Sequence, residues 1–452
     1  MDHPTRETLE GFLRSSLPAS QVKATLAHLL TCDRCHAELE PLATVMWKPD
    51  AAPEPVLSPE EEAAYDASIS AAFAVALGLE RDLGSERETA GGRLAEILRD
   101  PQGAEALLAQ GRLAPTWGLC EALLDKSREL RSTDRAAMLQ LAVLASQAVD
   151  RLDPAVCGEA QQADLQARVW AELANAWRLS DDLSQAEAAM ARARDLRLRG
   201  TGDPLLFARI ADLRASLLSD QRHFAEAFRM LDAARVVHER YGDRHEVGRL
   251  TIMKGLYKGY AGDSEEGLQL LARGLELVDP ERDDKLVFHT LHNILLLRVE
   301  LGDFEEAGRQ LAGMRPLYAT EATWLDLVKL RRIEGQIAAG LGRFEEAEAL
   351  FLSTREELDQ AGFGYEASLV SLNLAEVRLL QGKTAQVRAL VAQLVMAFRA
   401  LGVGREAMVA VVLLRDAVEQ DQITLEVLRQ VAGALWRLPS QPASRGAGLE
   451  EI

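Results

Sequence analysis

The sequence predicts an all-α protein, with a small zinc-stapled helical module followed by a solenoid of helix-turn-helix repeats about 40 residues long. Three observations predict it. Ala and Leu dominate, aromatics make up 5% and β-branched residues are sparse, so propensity favours helix along nearly the whole chain. His28, Cys32 and Cys35 stand in an H-x3-C-x2-C arrangement, with the spacing of metal ligands. Acidic or Ala-rich helix starts recur as DLSQAEAAM, RHFAEAFRM, GDSEEGLQL, GDFEEAGRQ, GRFEEAEAL and GKTAQVRAL. Their small or short residues Ala186, Ala227, Gly267, Ala307, Ala347 and Val387 lie 41, 40, 40, 40 and 40 apart, a regularity chance does not produce.

Residues 1–47 form the first region, dense in His and Cys. One helical turn separates His28 from Cys32, and the C-x2-C knuckle presents a second thiolate to the same point, giving three corners of a tetrahedral zinc site. His3 is the candidate fourth ligand, because His36 directly follows Cys35 and is badly placed to turn back. Residues 48–62, KPDAAPEPVLSPEEE from Lys48, read as an extended, solvated linker, since each Pro removes a donor and biases its predecessor away from helix. Residues 63–110 read as connecting helices, broken at Gly91-Gly92. The array is expected over 111–437, with an earlier unit at about 112–151, and residues 438–452 as a flexible tail.

Each repeat unit follows one physical plan of helix, tight turn and helix. Gly262, Gly302, Gly342 and Gly382 mark the turns, because a helix C-terminus wants a residue that tolerates the left-handed conformation. Four residues after the small position come Met190, Leu231, Leu271, Leu311, Phe351 and Val391. Twelve before it sit Ala174, Ala215, Gly255, Gly335 and Ala375, with Leu295 the exception. Small side chains at these points let the helices of a pair approach closely, and large ones fill the adjoining space.

These residues resemble the tetratricopeptide repeat over about 152–402, with Trp170, Ala174, Ala186, Met190 and Ala193 the best match within one unit. The resemblance implies a right-handed α-solenoid whose first helices line a concave surface. The common repeat is shorter, and the six additional residues here add about 9 Å of helix to each pair. The length resembles that of long-repeat variants in bacterial regulatory proteins. Aligned on the motif, Asn175, Asp212, Ser216, His292, Arg332, Gln336 and Glu376 project toward the concave surface as a polar groove for a protein or peptide. The alternative is that they are solvated helix positions.

The opening segment, HPTRETLEGFLRSSLPASQVKATLAHLLTCDRCHAEL, resembles the zinc domain of bacterial anti-sigma factors. Glu7-Thr-Leu9-Glu-Gly-Phe12-Leu13 is similar to that family's first helix, Leu17-Pro18 to its turn, and Ala27-His28-Leu29 with Cys32 and Cys35 to its ligand-bearing helix. This resemblance implies His3, His28, Cys32 and Cys35 as structural zinc ligands and a sigma factor as the sequestered partner. Cys120 and Cys157 sit in Leu- and Ala-rich helix, where burial is the simplest reading, so a redox switch is the lesser alternative for the head.

Composition excludes other classes. With 48% apolar residues in 452, the chain has material for one extended core or two to three compact ones. Lys and Arg number 51 against 70 Asp and Glu, a net charge of −19 that repels phosphate backbones and favours a basic partner. No apolar run approaches a membrane span and residues 1–20 carry charges throughout, so a cytoplasmic protein is expected. Gly382-Lys383-Thr384 lacks the first Gly of a phosphate loop, where Val377 stands, and Gly362-Phe-Gly364-Tyr-Glu-Ala367 follows helix rather than strand. His245-Glu246 lacks the second His of a metalloprotease helix, and His289 with His292 read as a solvated or core-edge pair. No catalytic constellation emerges. The expected function is a non-enzymatic regulatory adaptor with a sigma-sequestering head. Alternatives are a scaffold subunit of a larger protease- or defence-type effector assembly and a peptide-sensing regulator.

Overall fold

The computed structural model describes residues 3–13, individual positions between 17 and 38 that include His28, Cys32 and Cys35, and the stretches 83–153, 158–400, 405–420 and 422–437. The expected linker 48–62, the start of the connecting region, Cys157 and the expected tail 438–452 lie outside the described residues. Helices account for nearly all of the described chain, with no strand among the described residues. The expected all-α class is what the structure has, and among those residues no helix is long and apolar enough to cross a membrane.

Two compact units divide the chain at Leu217 and Leu218. In the first, a helix over 83–99, which runs unbroken through Gly91 and Gly92 where a break was expected, precedes Pro101–Ala109, Trp117–Glu129 and Arg135–Val149, then the long pair Glu159–Leu179 and Leu183–Arg197. Leu119, Cys120, Leu123 and Leu124 are buried with Leu141, Ala145, Val149, Leu165 and Val169. A second cluster joins Ala174, Ala186, Met190 and Ala193, the small and large positions of the repeat motif, to Leu213 and Leu217. Asp134 and Asp182 each accept a hydrogen bond of 2.9 Å from the backbone N–H three residues on, capping the helices they start.

The second unit contains Phe224–Arg240, then the pairs Arg244–Ala261 with Ser264–Leu275, Asp284–Glu300 with Phe304–Glu321, Trp324–Gly340 with Phe344–Gln360, and Gly364–Leu380 with Thr384–Ala400. Arg405–Glu419 and Leu425–Arg437 end it. Gly262, at φ 92, closes one helix in the left-handed conformation that a side chain resists, and Asp263 at once caps the next by accepting from the Glu266 N–H at 3.3 Å. The turn is therefore encoded by two adjacent residues.

The helices of a pair meet at their small residues. A Cβ on Gly255 would lie 2.9 Å from the Gly267 carbonyl oxygen and 2.9 Å from the Leu271 nitrogen, so backbone touches backbone there. A Cβ on Gly335 would lie 2.6 Å from the Phe351 ring, where the bulky side chain of the second helix fills the gap. Leu295, the large exception at this register, is fully buried with Ala307 and Leu311. Outside the core, Lys258 pairs with Asp263 and Glu266, and Arg298 repeats the clamp with Asp303 and Glu306 at 3.8 and 3.1 Å. Such partly exposed pairs contribute about 0.2–1 kcal/mol each, so burial rather than charge holds the pairs together.

Close approach at Gly255 predicts that Gly255→Val lowers stability by about 1–3 kcal/mol, because backbone rather than a movable side chain stands in the way. Gly313→Ala, exposed inside a helix with nothing near its Cβ, should instead raise stability by about 0.5–1 kcal/mol. Denaturant midpoints of the two variants and the parent check the opposite signs.

Candidate functional site

Thr5 starts the first helix by accepting the Thr8 N–H at 3.2 Å, and the helix Arg6–Leu13 places Leu9 at its inner face. Leu9, Leu29 and Cys35 are buried together, with Phe12, Leu13 and Cys32 against them.

Four donor atoms converge beside that cluster. His3 Nδ1 lies 3.2 Å from His28 Nε2, 3.2 Å from the Cys35 Sγ and 3.3 Å from the Cys32 Sγ, while the Cys35 Sγ lies 3.4 Å from His28 Nε2. All four ligand atoms fall within 4.8 Å of one another. A tetrahedron built on ordinary zinc–nitrogen and zinc–sulfur bonds has edges of about 3.3–3.8 Å, so the set is shaped for one ion. Burial pushes the Cys35 thiol up, and its hydrogen bond and charge contact with Cys32 push the same way. A cation between them reverses that preference by stabilising both thiolates. The set of nitrogen and sulfur donors fits a metal of zinc's class, and it includes the His3 expected from sequence.

The seven expected groove residues occupy first helices, and the structure places them in two settings. In the first unit, Asn175 accepts the Arg178 Nε–H at 3.1 Å. Asp212 and Ser216 are buried, with Asp212 accepting from Arg209 at 3.2 Å and Ser216 donating to the Asp212 carbonyl at 3.4 Å. Arg209 also donates to the buried Glu172, so this patch is a closed charge network.

In the second unit, half-buried His292 lies 2.6 Å from the Tyr318 hydroxyl, and burial first, then Lys329, push its pKa down to about 3, leaving a neutral ring. Arg332 is buried, and desolvation pulls it down to about 10 against the favourable charge of Glu300. Gln336 encloses its Oε1 without a hydrogen-bond partner. Glu376 accepts from Arg429 at 2.6 Å.

Sequence reasoning did not single out Lys329, Glu366 or Asn373 on this face. The Glu366 Oε2 and Asn373 Oδ1 are enclosed with no hydrogen-bond partner, and Asn373 is 7% exposed. Burial raises the Glu366 carboxyl to about 7, with its own backbone N–H and Lys329 pulling the other way. Glu366 stands forty residues after buried Asp326, and that register was the available signal.

Fold and site together define a tetratricopeptide-like helical repeat protein that carries a two-histidine, two-cysteine cluster able to hold a metal ion. Among solved structures, a Rap protein complexed with competence and sporulation factor is similar, at 11% identity over 69% of this chain and 85% of the other, with a TM-score of 0.53. Aspartyl phosphate phosphatase F from Bacillus subtilis matches at 12% identity over 88% of this chain and 95% of the other, TM-score 0.47. A signal-transduction ATPase with a tetratricopeptide repeat sensor from Pyrococcus horikoshii matches at 13% over 84% of this chain and 50% of the other, TM-score 0.46. No protein-family model matches the chain, and no curated protein matches it.

The donor geometry predicts one tightly held divalent ion per chain, lost in the Cys32→Ser, Cys35→Ser double variant, as read by elemental analysis of purified protein. The raised Glu366 carboxyl gives a pH prediction of definite sign. The folded chain holds this proton up to about 7 and the unfolded chain releases it near 4.5, so the folded state binds more protons between these values and stability falls as pH rises through them. Glu366→Gln should flatten that slope and be more stable than the parent above pH 7, as urea midpoints across the window measure.

Proposed function

We propose that the chain is a non-enzymatic regulatory adaptor whose zinc-bearing head sequesters a sigma factor and whose repeat array receives a second protein or peptide. The observation that carries this reading is the convergence of His3, His28, Cys32 and Cys35. Two segments more than twenty residues apart are tied at one point, which presents the helix Arg6–Leu13 and the ligand-bearing segment as one unit. The motif that supplies those ligands resembles the anti-sigma zinc domain, and this supports zinc as the ion and a sigma factor as the partner.

For the array, the support is its fold and its polar first-helix faces. A Rap protein of the same fold forms a complex with competence and sporulation factor, which supports a ligand-receiving role for the repeats here. The net charge of −19 favours a basic partner, or one with a basic segment, over nucleic acid. In this reading the protein works in the cytoplasm, and occupancy of the array changes how accessible the head is.

A native pull-down with partner identification tests the head, comparing the parent with the Cys32→Ser, Cys35→Ser variant. A sigma factor retained by the parent and lost from the variant supports sequestration. Its absence from both samples, with the array's other partners unchanged, moves the function to the repeats and leaves the head as a docking element.

A further inference from the structure

The last described helix, Leu425–Arg437, breaks the rule of the array. By sequence it starts 41 residues after Thr384 and so falls where the next second helix should begin. Second helices such as Ser264–Leu275 and Phe344–Gln360 pack on their own first helix and on the following one. Leu425–Arg437 packs instead on Arg405–Glu419 and back on the preceding first helix, Gly364–Leu380. There Tyr365 donates its hydroxyl proton to the Leu435 carbonyl at 3.1 Å, and Arg429 binds Glu376 at 2.6 Å.

The docked segment has the form of a helical ligand. Leu428, Val431 and Leu435, spaced three and four apart, are buried, while Glu426, Arg429 and Gln430 face solvent. At 13 residues the helix is too short to be stable in water alone, so its order depends on the surface beneath it.

We propose that the first-helix face around Tyr365 and Glu376 is a groove for a basic amphipathic helix of a partner protein, and that Leu425–Arg437 occupies it in the isolated chain as a built-in competitor. The partner repeats the pattern of the resident helix, with apolar residues at i, i+3 and i+7 and a basic residue at i+1 for Glu376. The proposal rests on the reading of the array as the recognition element, but its test needs no natural partner, so failure to capture a sigma factor leaves it standing.

The probe is a fluorescein-labelled peptide of residues 422–437, titrated against full-length proteins and followed by anisotropy. Full-length Leu428→Asp, Leu435→Asp protein, whose own helix no longer docks, should bind the peptide at least tenfold more tightly than the parent. Adding Glu376→Arg should remove at least tenfold of that affinity, and a peptide carrying Arg429→Glu should restore it. Equal binding to parent and variant, or binding to neither while the helical signal is intact, overturns the proposal. A helix that merely seals the array end opens only with its neighbours, so hydrogen exchange on the parent gives a second reading that needs no variant. Amides of 425–437 exchanging at least tenfold faster than those of 364–380 support a detachable occupant, and exchange of both segments in one common opening overturns it.

Discussion

Everything regular in this protein depends on the distance at which the helices of a pair cross. At Gly255 and Gly267 that distance is set by main chain against main chain, with a notional Cβ only 2.9 Å from the opposing carbonyl. Once two helices are that close, the residue four positions further along the second must fill the space beside the crossing, as Leu271 and Phe351 do with full burial. The turn must then return the chain over the same short gap, and Gly262 followed by Asp263 does so by ending one helix and capping the next. Crossing, filler and turn are consequences of one constraint, and they recur together along the array.

That hierarchy explains what was legible. The period, the small and large positions and the turn glycines lie on fixed registers, so alignment of the chain with itself finds them without any tertiary information. The metal cluster was legible for a related reason, since H-x3-C-x2-C is a local geometry on one helix and knuckle. His3 was harder, because its approach depends on the helix Arg6–Leu13 folding back across Leu29 and Cys35, and elimination of His36 stood in for that geometry. Leu295 shows the limit at single positions, where a large residue takes a small-residue register and is buried among neighbours arranged to receive it.

What sequence did not reveal is which partner an element chooses when the pattern permits two. Leu425–Arg437 has the amphipathic spacing and the start position of a second helix, yet it packs on the preceding first helix. Periodicity specifies a buried face and leaves open the surface that buries it. The same gap applies to Glu366 and Asn373, which sequence reasoning did not single out and whose side-chain oxygens the structure encloses. Several expected groove residues are likewise engaged by their own chain, Asp212 with Arg209 and Glu376 with Arg429. A first-helix position is therefore a place where recognition and internal packing compete for the same side chain.

That competition has an energetic sign. An enclosed acceptor left without a donor costs about 1–3 kcal/mol, so Gln336, Glu366 and Asn373 together work against the stability of the second unit. Apolar residues of similar size at these registers would remove the cost, and Ile333, one repeat before Asn373, shows that the fold accepts such a residue. Two of these groups, Glu366 and Asn373, share the first helix Gly364–Leu380, on which Leu425–Arg437 also packs. An enclosed oxygen has no face for a partner to reach, so these groups mark a cost the folded unit carries inside, beneath the exposed side chains that any partner would meet first.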